Sequence, residues 1–443
     1  CEHLYNCNKG HTYRPAINYF GKRISYEEMF KNIDMLAAAF YSIGVQKGDA
    51  VALCMLSMPE TVYTVYGLNR LGAVANIIEP RTNSSRIKDR INEAHAKVLV
   101  VVDVFLSKII EIASETSLEH IVVVSIANSM PLYKKILFQI KARGKFPKIP
   151  VDNRYLDWAA LKKQAIGQEL PLVLYEKNRP AVTIYTGGTT GVPKGAVLTN
   201  DGITAMEIQS KYDVPLLYKG KRFLGIMPPF IAYGFVFGMF IPFCAGLEVI
   251  QIPNFDPNNF AHLVMKHKPN HIVGVPAFYE ALSKSKEVGN KQLDFLMCAI
   301  TGGDQLLEST EISINQFLHE HGCKYRIMKG YGMTEMGSAA TFTSTDEANK
   351  PGSVGIPIHS TTIKVIDHET GQELAYNEIG ELCITGPTMM KEYYENRPET
   401  EKIMRLHSDG NYWIHSGDIG YITETGNVFL KGRIKRMIIR RSE

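Results

Sequence analysis

Between residues 50 and 125 the chain alternates short apolar runs with helix-length segments, and this rhythm constrains the fold more than any other feature. VALCML (51–56) reads as a buried strand. A helix is expected from about Pro59 to Leu71, because proline suits a first helical turn and Gly72 suits the end. AVANII (73–78) follows as a strand, then a helix near 84–94, the strand VLVVV (98–102), a helix near 104–115 and the strand IVVV (121–124). Strand, helix, strand at this spacing predicts a parallel sheet covered on both faces. The pattern resumes beyond residue 200. FLGIM (223–227), LEVIQI (247–252), HIVGV (271–275), FLMCAIT (295–301) and YRIM (325–328) read as strands, with a helix near 257–267 opening at Pro257 and another near 305–320 following Asp304. From about residue 350 the strands shorten and the turns fill with Gly and Asn: IKVID (363–367), ELCIT (381–385), YWIH (412–415), IGYIT (419–423) and NVFLKG (427–432). The predicted fold class is α/β: two layered units with mainly parallel sheets covered by helices, plus a smaller β-rich subdomain.

Composition narrows the class of partner. Of 443 residues, 45% are hydrophobic and 21% charged, which fits a soluble protein with a sizeable core. A formal charge of +4 is small for this length and gives no case for nucleic acid. Cys54, Cys244, Cys298 and Cys383 sit in apolar segments, Cys1 and Cys7 lie near the start, Cys323 precedes an expected strand, and no CxxC occurs. A disulfide scaffold and a zinc site are therefore disfavoured and a reducing, cytoplasmic location is expected. The longest apolar stretch, near Phe235 to Leu247, is too short to span a bilayer and contains Pro242. Residues 134–148, KKILFQIKARGKFPK, are basic with apolar residues between. They read as a solvated linker or surface helix, with weak contact to an anionic membrane as the alternative, so membrane contact is expected to be weak or absent. The chain opens on Cys1 and not on Met, so further residues are expected upstream.

The segment richest in chemistry is YTGGTTGVPKG at 185–195, entered from the expected strand AVTIY. Gly187, Gly188 and Gly191 allow the backbone to fold tightly and approach a bulky anion. Thr186, Thr189 and Thr190 supply hydroxyl donors, and Lys194 adds a point charge suited to polyphosphate. It is not a Walker A loop, because Gly195 follows Lys194 where Ser or Thr is required.

This loop resembles the signature of the AMP-forming adenylate synthetases, which include acyl-CoA and aryl-CoA synthetases, luciferase-like ligases and peptide-synthetase adenylation domains. Further segments match that family in order. TGGDQL (301–306) looks like its adenine-side turn, with Gly303, Asp304 and Gln305 at the base. In KGYGMTEMG (329–337), the resemblance implies that Gly330, Tyr331 and Gly332 flank the adenine, Tyr331 stacking on it, while Thr334 contacts phosphate and Glu335 helps to hold Mg²⁺. YWIHSGDIGY (412–421) keeps a hydroxyl at Ser416 where the family has Thr, and Asp418 is expected to accept both ribose hydroxyls. In KGRIKRMII (431–439), Arg433 matches an arginine near ribose and phosphate, and Lys435 matches the hinge between the adenylating and thioester-forming arrangements. The implied catalytic group is Lys194, Thr334 and Glu335; ATP, Mg²⁺ and coenzyme A are the implied cofactor and substrates. The expected divisions are 1–180, 181–345 with the phosphate loop, 346–434 as the β-rich part, and 435–443 as hinge and stub of a further C-terminal domain. The family carries an assisting lysine in that domain, so the 443-residue chain alone is expected to adenylate weakly or not at all.

The segment MPPFIAYGF (227–235) resembles the acyl-pocket motif of CoA synthetases, with Ile231 where a histidine often stands. None of residues 231–235 is acidic, which disfavours an amino-acid substrate. Ile231, Tyr233, Gly302 and Met336 are the candidate acyl-pocket residues; their apolar surroundings suit a fatty or aryl acid, and the same residues read equally well as core. Three rivals stand beside this reading. A nicotinamide dehydrogenase would need GxGxxG after its first strand, where the chain has SMPE at 57–60. A non-catalytic nucleotide binder and an adenylation domain serving a carrier-protein thiol are the other two.

Overall fold

The computed structural model describes residues 1–187, 193–214, 217 and 219–434. The chain forms two compact units, residues 1–200 with 218–254, and residues 201–217 with 255–443.

In the first unit, the alternating pattern folds as its periodicity predicts. One sheet runs in the spatial order Gly195–Thr199, Pro180–Tyr185, Val74–Ile77, Ala50–Cys54, Val98–Val102, His120–Val124 and Tyr155–Asp157. Every neighbouring pair is parallel except Pro180–Tyr185 with Gly195–Thr199, which form an antiparallel hairpin around the Gly/Thr loop. The strand Val98–Val102 is buried at every position, which explains its unbroken run of apolar residues. Helix Pro59–Leu71 starts on proline and ends where Gly72 adopts φ 76°, its N–H returning to Asn69 and Leu68. Ile87 and Ile91 of helix Ser84–Glu93 and Ile109 of Leu106–Ile112 pack with Leu99, Val101 and Ile121 into one core. A second sheet joins Arg222–Gly225, Glu248–Gln251 and Pro15–Tyr19 in parallel, with Lys22–Ser25 antiparallel at its end. After that hairpin, Ser25 caps helix Tyr26–Ser42 by accepting from the Glu28 N–H.

In the second unit, His271–Gly274, Cys298–Thr301 and Met328–Tyr331 are parallel, and Thr341–Phe342 and Ile356–Pro357 add antiparallel edges. An antiparallel sheet follows, ordered Thr362–Ile366, Gly380–Thr385, Tyr412–Ile422, Met404–Leu406, with Val428–Arg433 also pairing Tyr412–Ile422. Its core runs from Ile363, Leu382, Ile384, Ile414 and Val428 to Tyr331 and Met336. The fold is thus mixed α/β with parallel sheets and an antiparallel β subdomain, as expected.

Three local expectations move. The strand expected at 325–328 lies at Met328–Tyr331, because Lys329 enters the ladder opposite Thr301 with its ammonium on buried Glu311. A lysine flanked by glycine hides that strand from an apolar-run reading. The helix expected near 305 starts at Glu308: Gly303 takes φ 77°, and Asp304 spends its carboxylate on the Gln305 N–H at 2.8 Å. The strands expected at 412–415 and 419–423 are one continuous strand, Tyr412–Ile422.

Candidate functional site

That continuous strand is irregular at one place. Cys383 pairs with His415 and Glu381 with Ile419, so Ser416, Gly417 and Asp418 stand opposite a single residue. Such a bulge re-aims side chains, and Gly417 supplies the left-handed residue it needs at φ 70°. The Ser416 hydroxyl donates to the Leu382 carbonyl at 2.7 Å and accepts from the Asp418 N–H at 3.0 Å, which locks the turn.

Asp418 is buried, and its two oxygens are held by different donors. The Tyr331 hydroxyl donates to Oδ2 at 2.7 Å, and Arg433 Nε donates to Oδ1 at 2.7 Å. Arg433 stands directly across the ladder from Asp418, so strand register creates this pair. Burial, then Asp418, pushes the Tyr331 phenol far above its ordinary value, so it stays protonated and donates. Each carboxylate oxygen has two lone pairs, so Asp418 keeps acceptor capacity for two further hydroxyls. Three residues distant in sequence and expected at one nucleotide therefore meet in one cluster.

Behind the bulge lies a network that sequence reading missed. Glu381 accepts from the Gly417 N–H at 3.0 Å and faces His415 Nδ1 at 3.1 Å, while His415 Nε2 faces His407 Nε2 at 2.9 Å. Burial works to raise the Glu381 carboxyl, but the His415 contact and the Gly417 N–H together hold it below the ordinary range. Ligand atoms of Cys383, His407 and His415 lie within 4.8 Å of one another, a grouping that sequence spacing cannot reveal. Burial pushes the Cys383 thiol up to about 12, and His415 is held between Glu381 and His407, on the same network that accepts the Gly417 N–H.

The KGYGMTEMG segment bends sharply after Tyr331. A Cβ on Gly332 would lie 1.9 Å from the Ser338 carbonyl oxygen, so only glycine fits there. Thr334, Glu335 and Met336 form a 3₁₀ turn closed by Gly337 at φ 62°. Glu335 is buried and accepts a short hydrogen bond from the Tyr393 hydroxyl, a partner 58 positions away. Burial and then Glu335 push the Tyr393 phenol far up, so it remains the donor. Tyr393 holds one Glu335 oxygen in place. The other suits a hard cation, which prefers oxygen ligands. Among the described residues Glu335 belongs to no cluster of three ligating side chains. Gly303, Asp304 and Gln305 form an exposed turn after the strand Cys298–Thr301, next to buried Gly302. Met336 is fully buried in the core of the antiparallel sheet.

In the first unit the mouth of the Gly/Thr loop is latched. The Thr186 N–H donates to the Lys194 carbonyl at 2.9 Å, and the Lys194 N–H donates to Thr186 Oγ1 at 3.1 Å. Arg90 was absent from the sequence reading; its guanidinium lies over the Tyr185 ring at 4.3 Å and donates to the Pro193 carbonyl, gripping both ends of the loop. Gly195 is required because a Cβ would come within 2.8 Å of the Thr183 side chain. Gly187 is described and unobstructed, whereas Gly188, Thr189, Thr190, Gly191 and Lys435, the expected hinge residue, lie outside the described residues. Ile231 precedes a short helix, Ala232–Phe235, that continues as a π-helical turn, Val236–Phe240. Gly234 packs so closely on Pro228 that a Cβ would sit 1.9 Å from its carbonyl oxygen, and Tyr233 tilts against Phe237 at 5.8 Å.

The fold is one shared with CoA ligases of known structure. A long-chain-fatty-acid-CoA ligase from Archaeoglobus fulgidus superposes with a TM-score of 0.84 at 23% identity, covering 99% of this chain and 84% of that one. Residues 5–394 match the AMP-binding enzyme family, and the chain belongs to that family. A long-chain-fatty-acid–CoA ligase of Bacillus subtilis is 29% identical over 430 residues, spanning 96% of this chain and 75% of the relative. 4-Coumarate–CoA ligase 1 of Petroselinum crispum is 25% identical over 425 residues, spanning 94% and 72%. Among the described residues no helix is long and apolar enough to cross a membrane, and none of the seven cysteines is paired.

Proposed function

We propose that this enzyme activates a carboxylic acid with ATP and passes the acyl group to coenzyme A. The substrate carboxylate attacks the α-phosphorus, pyrophosphate leaves, and an acyl-adenylate forms. The thiol of coenzyme A then attacks the mixed anhydride and AMP leaves. The observation that carries this reading is the Asp418 carboxylate, buried at a bulge between Tyr331 and Arg433 with acceptor capacity left for a ribose diol. The relatives are named as ligases of fatty and coumaric acids, and the acyl-pocket candidates are apolar, so the substrate class is a fatty or aryl acid. Roles follow from chemistry. Asp418 and Arg433 grip the sugar, Tyr331 orients Asp418 and borders the base, Thr334 donates to phosphate, and Lys194 offers the polyphosphate a positive charge. Mg²⁺ held at Glu335 would offset negative charge on the phosphates.

Pyrophosphate exchange with a panel of carboxylic acids, then thioester formation with coenzyme A, tests the whole protein. Exchange with an apolar acid is the expected result. ATP binding without exchange on any acid would leave a nucleotide binder and overturn the proposal. A narrower check is calorimetry with ATP·Mg²⁺. Asp418→Asn is expected to weaken binding about 10- to 100-fold, the loss of one charge-assisted hydrogen bond of about 1.5–3 kcal/mol. Unchanged affinity would remove Asp418 from the site.

A further inference from the structure

Helix Leu132–Ala142 differs from the other α-helices described in the first unit: none of its residues is buried. Phe138 and Ala142 are half-buried on one side, where Lys134 also donates to the Phe20 carbonyl at 2.7 Å. Leu132, Tyr133, Ile136, Leu137 and Ile140 are 48–73% exposed. At about 100° per residue these five span an arc of about 140°, centred opposite Phe138 and Ala142. The apolar face of this amphipathic helix thus points away from the protein, the reverse of a surface helix that contributes to a core.

Charge says what covers it. From residue 120 to 151 the sequence contains no Asp or Glu, while Lys134, Lys135, Lys141, Arg143, Lys145 and Lys148 are basic. Six positive charges gather here in a chain whose total is +4. On the helix, Lys141 flanks one margin of the apolar arc and Lys135 the other, while Lys134 is tied to the Phe20 carbonyl. Long lysine stems in that position can lie along an apolar layer while their ammonium groups reach outward to anions. We propose that this helix seats the enzyme on an anionic lipid bilayer, lying in the interface with its apolar face among the acyl chains and its basic residues on the headgroups. At eleven residues it is about 16 Å long, enough to lie in a leaflet and far too short to span one. A second copy is a poorer occupant, since a two-fold pairing of this face would bring two like-charged basic margins together. The inference stands apart from which acid is activated.

Vesicle flotation tests it. Vesicles of phosphatidylcholine with phosphatidylglycerol are expected to capture the protein, and vesicles of phosphatidylcholine alone to capture about tenfold less or lower. Ile136→Asp with Ile140→Asp should abolish capture. Lys135→Glu with Lys141→Glu should remove the anionic preference. Ile136, Ile140 and Lys141 are exposed and Lys135 is only partly covered, so thermal unfolding should not move, which separates lost binding from lost folding. Absence of capture by either vesicle, or equal capture of wild type and the Asp variant, overturns the proposal. So does concentration-dependent dimerisation that the Asp variant abolishes without any vesicle binding.

Discussion

Glu335→Gln is expected to slow pyrophosphate exchange in the whole protein by about 10²–10³-fold, the scale seen when one preorganised electrostatic group is removed from a reaction centre. The substitution is chosen for what it keeps. Glutamine retains an acceptor oxygen for the Tyr393 hydroxyl, so the buried contact beneath the 3₁₀ turn survives and folding is conserved. What it removes is the negative charge that a hard cation needs. The expected signature is a higher Mg²⁺ concentration for half-maximal exchange together with a lower maximum. Tyr393→Phe separates orientation from charge: it leaves the carboxylate but frees it to rotate, and about a tenfold loss is expected from one hydrogen bond to a charged group. Full activity in Glu335→Gln would exclude the residue from metal binding.

The second large effect is on stability. Glu311→Ala should cost about 3–5 kcal/mol, read as a shift of the urea midpoint, because it strands a buried ammonium. Lys329 and Glu311 side chains are 5% and 2% exposed, with Nζ and Oε1 2.6 Å apart. Burial lowers the Lys329 ammonium below its ordinary value even against the pull of Glu311, so the pair endures only as a pair. Two backbone groups share it: Lys329 donates to the Lys350 carbonyl at 2.7 Å, and Glu311 accepts from the Gly352 N–H at 3.1 Å. The double variant Glu311→Leu with Lys329→Met should therefore cost no more than Glu311→Ala alone: the stranded charge is gone, while the Lys350 carbonyl and the Gly352 N–H each lose a partner at about 1–3 kcal/mol. Additive single effects would contradict a coupled pair. The pair matters for function because Lys329 lies two residues before Tyr331, on the strand that sets its position.

Much of the site was legible because its parts are local. The hairpin strand into YTGGTTGVPKG and the proline-started, glycine-ended helix 59–71 announce themselves within a few residues, and Tyr331, Asp418 and Arg433 stand out through the family resemblance of the short segments that hold them. The alternation of strand and helix likewise marks the parallel regions, and short strands with Gly- and Asn-rich turns mark the antiparallel one. The partners were not legible. Tyr393 on Glu335, Arg90 on Tyr185, and Glu381 with His407 and His415 behind Gly417 are joined only by strand register and packing. Ser416-Gly417-Asp418 read as a break between two strands, because nothing local distinguishes a turn from a bulge inside one strand. The helix at 132–142 is the plainest division. Its sequence determined that one face is apolar and its margins basic; only the tertiary structure decided that this face looks outward, because amphipathic spacing specifies two sides of a helix and never which of them meets the protein.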